Sequence, residues 1–348
     1  MANRIFGLII ISILLILIDI YIYRAIRSVS WKWKGQKHLS FTYIWWGYTF
    51  LLIAGVFISI FFNIKFLLRS IILVVFFLTF VSKIFILPFL IADDLRRLML
   101  WISRKLKGQK IIEQNKTDGI PRSEFLIKAG TLVAAIPLAS LTYGVVSSAY
   151  DYRVKRRTLY LPNLPKAFDG IKLGQLSDIH SGSFYDRKAV IGGVDMLLKE
   201  KPDMVFFTGD LVNNVASEMY EYQDIFSKVK APLGVFSVLG NHDYGDYHYG
   251  QGPSAAKIKN LADIKQTHKN MGWNLLLNEN RRLKIDGDEL AILGIENWGV
   301  GRFAKYGRMD LAVKNTDDVP VKLLLSHDPS HWRAQVLPDY PQIDAMFS

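Results

Sequence analysis

Residues 236–246 read FSVLGNHDYGD, an apolar run that ends in three adjacent polar side chains, Asn241, His242 and Asp243. A short apolar run bounded by glycine predicts a buried strand that ends at Gly240. Asn, Asp and Gly are ordinary turn residues, so the cluster by itself is compatible with a simple polar turn. In open α/β sheets, however, ligands bind beyond the carboxyl ends of the strands. The stretch therefore predicts either a polar turn or one wall of a binding site.

Three more apolar runs in the second half of the chain end in similar polar clusters. IKLGQLSDIHSG ends in Asp178 and His180, PDMVFFTGDLVNN in Asp210, and VKLLLSHDPSHW in His327. The intervening segments AVIGGVDMLLKE and YEYQDIFSKVK have helical spacing of apolar residues, which predicts strand–helix–strand alternation. Each cluster alone is more often an ordinary turn or a structural histidine. Four of them in succession predict a site at one edge of a sheet.

In this order, SDIH, TGDLVNN, GNHD and LLLSHDP resemble the motifs of the calcineurin-like metallophosphoesterase superfamily, over roughly residues 170–348. The resemblance implies an α/β fold, the calcineurin-like αββα sandwich, and a hydrolase with two divalent metal ions (Mn, Fe or Zn). It implies that Asp178 and His180 bind the first metal, that Asp210 bridges both metals, and that Asn241 and His327 bind the second metal. It also implies that His242 acts on the leaving group or the phosphoryl oxygens and that Asp243 orients the ring of His242.

The chemistry of such a centre is phosphate ester or diester hydrolysis. A bridging carboxylate can hold two cations roughly 3.5–4 Å apart, and the cations lower the pKa of a shared water. The resulting metal-bridging hydroxide attacks phosphorus in line while the cations neutralise the developing charge. The superfamily's last motif, Gly-His-x-His, should follow the strand PQIDAMFS, so we expect the 170–348 domain to be incomplete at its C-terminus. The alternative function is a non-catalytic membrane sensor or binding module with a degenerate phosphoesterase domain.

The first 150 residues contain four long apolar segments, at 5–23, 41–62, 66–92 and 125–146. A spanning helix needs about 20 mainly apolar residues, so we predict about four transmembrane helices in residues 1–150. A linker at 151–169 then leads to the 170–348 domain. Two charged residues, Asp19 and Lys83, lie inside these segments. They either pair with each other or extend to the membrane surface.

The net charge of +12 is concentrated beside these apolar segments. Residues 1–123 hold 17 of the 43 Lys and Arg residues but only 5 of the 31 Asp and Glu residues. This placement indicates membrane-flanking charge, and no nucleic acid partner is expected. The basic residues cluster after the first and third segments, which predicts a multi-pass cell membrane protein with an extracytoplasmic catalytic domain. The sequence has no Cys, which excludes disulfides and thiolate metal ligands.

Aromatic residues follow the GNHD motif and recur in ENWGVGRFAKYG. They either form the rim of a site for a lipid-linked or envelope-associated phosphorylated substrate, or only pack the loops. The residues concerned are Tyr244, Tyr247, Tyr249, Trp298, Phe303 and Tyr306.

Overall fold

The computed structural model describes residues 2–29, 36–62, 64, 66–106, 122–147, 150–301 and 304–348. The chain divides into two compact units, Met1–Asp151 and Tyr152–Ser348. Each unit has its own apolar core. The first unit is helical, and the second combines helices with two sheets.

Four helices make up the first unit: α1 (Ala2–Val29), α2 (Gln36–Phe61), α3 (Phe66–Leu106) and α4 (Glu124–Ser147). All four are long and apolar enough to cross a membrane, which confirms the prediction of about four such helices. Helix α3 continues beyond the predicted apolar segment. Its extension carries ion pairs between Asp93 and Arg96 and between Asp94 and Arg97. Pairs at this spacing stabilise a helix whose apolar pattern has ended.

The charged residues inside the apolar helices pair with each other. Lys83 Nζ lies 2.5 Å from Asp19 Oδ1, and Thr49 donates a 2.5 Å hydrogen bond to Asp19 Oδ2. The ammonium group also lies 5.6 Å from the ring centroid of Trp45. Asp19 is fully buried. Asp19 and Lys83 therefore pair with each other, which was one of the two alternatives for these charges. Together with Thr49 they connect α1, α2 and α3.

The first sheet of the second unit is entirely parallel. Its strands are β1 (Leu173–Leu176), β2 (Met204–Phe207), β3 (Val235–Ser237) and β4 (Asn274–Leu275), in that order. Helix α5 (Arg187–Lys199) connects β1 to β2, and α6 (Gln223–Phe226) lies between β2 and β3. Helices α7 (Asp246–Tyr249) and α8 (Ala255–Met271) precede β4. The predicted helix over YEYQDIFSKVK is short, because after Phe226 the backbone continues in i→i+3 turns.

The second sheet is mixed. Strand β5 (Glu279–Ile285) pairs antiparallel with β6 (Asp288–Gly294), while β7 (Lys322–Leu325) and β8 (Ala345–Phe347) extend the sheet in parallel. Helices α9 (Met309–Ala312) and α10 (Leu337–Asp339) lie in the connections around β7.

The two sheets pack face to face to form the core. Phe206 and Phe236 from the first sheet meet Ile292, Leu323 and Leu325 from the second. Burying each such side chain contributes about 1.5–3 kcal/mol. Helical segments cover the outer faces of both sheets, with His268 of α8 against Phe207 of β2 on one side and Met309 and Ala312 of α9 on the other. The result is the four-layer αββα sandwich that the resemblance implied.

The segment that leads into this unit lies against it. The guanidinium group of Arg156 makes two hydrogen bonds to the carboxylate of Glu200, at 2.8 and 2.5 Å. The ring of Tyr152 packs on Gly193 of α5, where an added Cβ would lie 2.8 Å from Tyr152 Cδ2. Further along, Phe168 is fully buried in the core between the sheets.

Candidate metal centre

The loops after β1, β2, β3 and β7 carry the predicted site residues, and backbone hydrogen bonds hold two of these loops together. The N–H of Asp178 donates to Gly209 O at 3.0 Å, and that of His180 donates to Asp210 O at 3.1 Å. Gly209 has φ 108°. A Cβ at this position would lie 2.6 Å from the backbone nitrogen of Gly240, so the close approach of the β2 and β3 loops requires glycine here.

Three predicted metal ligands adopt a left-handed backbone. Asp178, His180 and Asp210 have φ values of 52°, 46° and 59°. Such a conformation costs an L-residue about 1–3 kcal/mol and persists where the surrounding structure imposes it. Three of these residues at adjoining strand ends indicate a functional site.

Asp210 is the centre of the cluster. Its Oδ1 accepts a 2.9 Å hydrogen bond from the N–H of His242, while its Oδ2 lies 3.4 Å from His180 Nε2 and 3.3 Å from His327 Nε2. Two groups of side chains have donor atoms within 4.8 Å of one another: His180, Asp210 and His242, and Asp178, Asp210 and His327. Asp210 belongs to both groups.

The two histidines beside Asp210 are placed to bind a cation. The Nδ1 of His327 donates to the Thr208 carbonyl at 2.9 Å, which leaves Nε2 directed at Asp210. Binding through one ring nitrogen while the other donates to a carbonyl is the usual arrangement of a metal-ligating histidine. The Nδ1 of His180 is buried without a hydrogen-bond partner in the part of the chain that the structure describes. Its other nitrogen, Nε2, lies 3.8 Å from Asp178 Oδ1 and 3.4 Å from Asp210 Oδ2, and this set of imidazole and carboxylate donors fits a divalent transition metal.

Electrostatics at Asp210 also favour a positive charge. Burial acts to lower the pKa of His327, but the hydrogen bond to Asp210 and its charge raise that pKa to about 9. Burial acts to raise the pKa of Asp210, yet the hydrogen bond and charge of His327 leave it below its ordinary value. A proton on His327 therefore compensates the carboxylate, and a cation between them would do the same.

Asn241 and His242 are held by neighbours outside the predicted ligand set. Asn241 Nδ2 donates to the Tyr247 hydroxyl at 3.0 Å, which leaves Oδ1 as the side chain's free ligand atom. The Nδ1 of His242 donates to the Asn213 carbonyl at 2.7 Å. A carbonyl only accepts, so Nδ1 carries a hydrogen and Nε2 is the atom available to a substrate. The contact with Asn213 is a backbone contact, which no side-chain motif could reveal.

The hydrogen bonds of Asp243 differ from the one that its expected role requires. We expected it to orient the ring of His242, but the Asn213 carbonyl holds that ring. Asp243 is fully buried, and its carboxylate accepts hydrogen bonds from four backbone N–H groups, which need an acceptor where water is excluded. Burial and the charge of Asp210 raise the pKa of Asp243 to about 7, while the N–H donors act to lower it. The four donors are Gly240, Asp210, Leu211 and Val212, at 2.9, 3.0, 2.8 and 3.3 Å.

Of the aromatic residues proposed for the rim, Tyr244, Tyr249 and Trp298 pack against neighbouring side chains of the unit. Tyr244 is 5% exposed and donates to Glu296 Oε1. The ring of Trp298 packs against buried His331 at 4.5 Å between centroids. Phe303 lies outside the described residues. Tyr247 and Tyr306 are exposed, at 59% and 40%, and the ring of Tyr247 lies 4.5 Å from that of His242.

Comparison with known families agrees with this geometry. The family model described as "Calcineurin-like phosphoesterase" matches residues 171–347. The chain belongs to the calcineurin-like phosphoesterases. A second model, described as "Probable Calcineurin-like phosphoesterase, transmembrane domain", matches residues 3–149. This calcineurin-like phosphoesterase is therefore a hydrolase of the metallophosphoesterase class with a membrane-spanning region.

Several curated calcineurin-like phosphoesterases are similar to it. "Uncharacterized metallophosphoesterase YkuE" of Bacillus subtilis is 27% identical over 222 residues, which cover 61% of this chain and 70% of that protein. "Transmembrane protein with metallophosphoesterase domain" of Danio rerio is 25% identical over 255 residues, 71% of this chain but only 54% of the relative. "UDP-2,3-diacylglucosamine pyrophosphatase LpxG" of Chlamydia trachomatis is 39% identical over 92 residues, 24% of this chain and 27% of that protein.

Proposed function

We propose that this calcineurin-like phosphoesterase hydrolyses phosphate esters or diesters with two divalent metal ions. The observation that carries the proposal is the sharing of Asp210 by two groups of potential metal-binding side chains. A carboxylate shared in this way is typical of two-metal hydrolytic sites. Distance alone groups Asp178 with His327. The proposal keeps the division that the resemblance implied, with Asp178 and His180 on one side of the centre and Asn241 and His327 on the other.

Bound divalent cations would supply positive charge for the phosphoryl oxygens and make water acidic enough to attack near neutral pH. The chain's own residues perform the remaining work. Hydrogen bonding of Nδ1 to the Asn213 carbonyl fixes the ring of His242, so a proton at Nε2 can pass to the oxygen of the leaving group. Asp243 keeps the loops after β2 and β3 together, so that Asp210 and His242 stay in contact.

The test is hydrolysis of bis(p-nitrophenyl) phosphate by the full-length protein in detergent, with and without Mn²⁺. Asp210→Asn should lower the Mn²⁺-dependent rate about a hundredfold or more, since even residues behind the ligands affect activity 10–100-fold. Asp263→Asn is the matched control, because Asp263 makes an exposed ion pair with Lys259 on α8. Absence of Mn²⁺-dependent hydrolysis by the unsubstituted protein would overturn the proposal.

A second variant separates the role of His242 from that of a metal ligand. His242→Ala should lower kcat by about 10²–10⁴, the usual contribution of a general acid, while Mn²⁺ binding measured by calorimetry stays unchanged. Loss of Mn²⁺ binding in this variant would make His242 a ligand and contradict the proposed role.

We propose a lipid-linked or envelope-associated substrate. Two observations support this class: the membrane-spanning region, and the similarity to LpxG, whose name describes it as a pyrophosphatase of a diacylated sugar nucleotide. In mixed micelles, a lipid-linked phosphodiester or pyrophosphate should be turned over faster than the soluble diester at equal bulk concentration. Equal or slower turnover would contradict the substrate class while leaving the phosphoesterase activity intact.

We also propose an extracytoplasmic catalytic unit, supported by the basic residues after the first and third apolar segments. The chain has no Cys, so a single introduced cysteine reports its own accessibility. Thr158→Cys should react with a membrane-impermeant maleimide in intact cells, whereas Lys105→Cys, at the end of α3, should react only after lysis. Both positions are exposed. The opposite labelling pattern would place the catalytic unit in the cytoplasm.

A further inference from the structure

We propose that Tyr247 is a positioning residue of the metal centre, which directs the Asn241 carbonyl oxygen toward a cation and holds the ring of His242. This inference rests on the proposed function for the identity of the centre. Tyr247 itself is not among the metal ligands or catalytic residues that the proposed function names.

The two ends of the Asn241 amide differ in what they can bind. Only the carbonyl oxygen can bind a cation, because the NH₂ group is a donor with no lone pair to offer. An amide that is free to rotate presents either end. In the structure the NH₂ group donates to the Tyr247 hydroxyl at 3.0 Å, which fixes that end and leaves Oδ1 free. In the structure Tyr247 therefore holds the amide in the orientation that metal binding requires.

The ring of His242 is also held by Tyr247 and its neighbours. Tyr247 packs on this ring at 4.5 Å between centroids and 33° between planes, and His180 meets it edge-on at 4.8 Å and 88°. With the hydrogen bond from Nδ1 to the Asn213 carbonyl, the ring is limited on three sides. Nε2 is the ring atom that these contacts leave for a substrate.

The local backbone explains why an exposed tyrosine can hold a fixed position. Tyr247 lies on the single turn of α7, between Gly245 at φ 72° and Gly250 at φ 85°. Lys257, in the first turn of α8, forms an ion pair with Asp246 and donates to the Gly250 carbonyl at 3.0 Å. Since the tyrosine side chain is 59% exposed, it gains little from burial. These anchors at either end of the turn keep Tyr247 over the site.

Two substitutions separate the hydroxyl from the ring. Tyr247→Phe removes the hydrogen bond to Asn241 and keeps the packing on His242, whereas Tyr247→Ala removes both. Tyr249→Phe is the matched control, because Tyr249 lies on the same turn but its ring packs on His248. All variants are tested as the full chain in detergent, and thermal melting verifies that they are folded.

The main measurement is Mn²⁺ binding by titration calorimetry without substrate. Tyr247→Phe should weaken Mn²⁺ binding about tenfold, as substitutions behind metal ligands do, with kcat at saturating Mn²⁺ within about twofold of the unsubstituted protein. Tyr247→Ala should weaken binding to the same extent and also lower kcat about tenfold or more, because general acid catalysis depends on the position of the acid. Tyr249→Phe should change neither quantity.

The outcomes distinguish this inference from the proposed function. If the unsubstituted protein binds Mn²⁺ but hydrolyses nothing, the proposed function fails, and the calorimetry still decides the role of Tyr247. If the protein hydrolyses the diester and the Mn²⁺ titrations of Tyr247→Phe and Tyr249→Phe coincide, the positioning role fails alone. If the unsubstituted protein binds no Mn²⁺, both proposals are overturned.

Discussion

Asp243→Asn tests whether this carboxylate holds the strand-end loops together. Each oxygen of Asp243 accepts two backbone N–H groups. An asparagine, in either orientation, replaces one of these oxygens by an NH₂ group that faces two donors. Hydrogen bonds to charged groups contribute about 1.5–3 kcal/mol each. Two lost bonds, partly offset by relief of the buried charge, should therefore destabilise the α/β unit by about 3 kcal/mol.

The assay is thermal unfolding of the full chain in detergent at pH 8, followed by tryptophan fluorescence. For a domain of 150–250 residues, about 3 kcal/mol corresponds to a decrease in Tm of roughly 6–12 °C. Asp263→Asn makes the same chemical change in an exposed ion pair and should shift Tm by less than about 2 °C. If Asp243→Asn and Asp263→Asn have the same Tm and only the rate of hydrolysis falls in Asp243→Asn, the carboxylate acts on catalysis. That result would refute its role in holding the loops together.

Three other sets of substitutions test separate parts of the structure. Burial holds the pKa of His268 at about 3, below its unfolded value of about 6.5, so the unfolded chain binds a proton that the folded chain does not. The contribution of the neutral histidine to the free energy of unfolding is therefore fully present above pH 6.5, and it falls by up to about 1.4 kcal/mol per pH unit as pH decreases toward 3. In denaturant titrations, the free energy of unfolding should differ less between pH 7 and pH 5 for His268→Gln than for the unsubstituted protein. An unchanged difference would contradict this. Gly209→Ala should lower the free energy of unfolding by at least about 2 kcal/mol more than Gly287→Ala, because both glycines have positive φ but only Gly209 has backbone within 3 Å of the added Cβ. Equal Tm values for the two variants would exclude a steric requirement for glycine at position 209. Reversing either charge of the buried pair, with Asp19→Lys or Lys83→Asp, should destabilise the helical unit by about 3–5 kcal/mol. The double reversal should restore most of this lost stability in a thermal-stability assay in detergent. No recovery would indicate that the pair does not hold the helices together.

The sequence predicted the features that depend on local patterns. Four apolar segments predicted four helices, and polar clusters after apolar runs predicted strand ends that carry Asp178, Asp210 and His327. A one-dimensional pattern is sufficient here, because segment length and the end of an apolar run are themselves properties of the sequence. The β5–β6 hairpin was not predicted, since its two strands carry none of the motifs that organised the rest of the domain.

The contacts that define the site could not be predicted, because they depend on how separate loops meet. The left-handed backbone of His180 follows from bonds between the β1 and β2 loops. Three of the four backbone partners of Asp243 lie on the neighbouring loop, whereas adjacency in GNHD suggested His242. Proximity in sequence indicated that Asn241 and His242 act together, but the contribution of Asn213 comes from a backbone carbonyl 29 residues away.

The contacts of the segment before β1 have a practical consequence for isolating the α/β unit. A fragment that begins at residue 170 would lack Phe168, whose removal from a buried position costs about 3–5 kcal/mol, and the pairing of Arg156 with Glu200. A fragment that begins before Tyr152 keeps all of these contacts. The catalytic unit of this enzyme should therefore be expressed from about residue 150, and the shorter fragment is expected to aggregate.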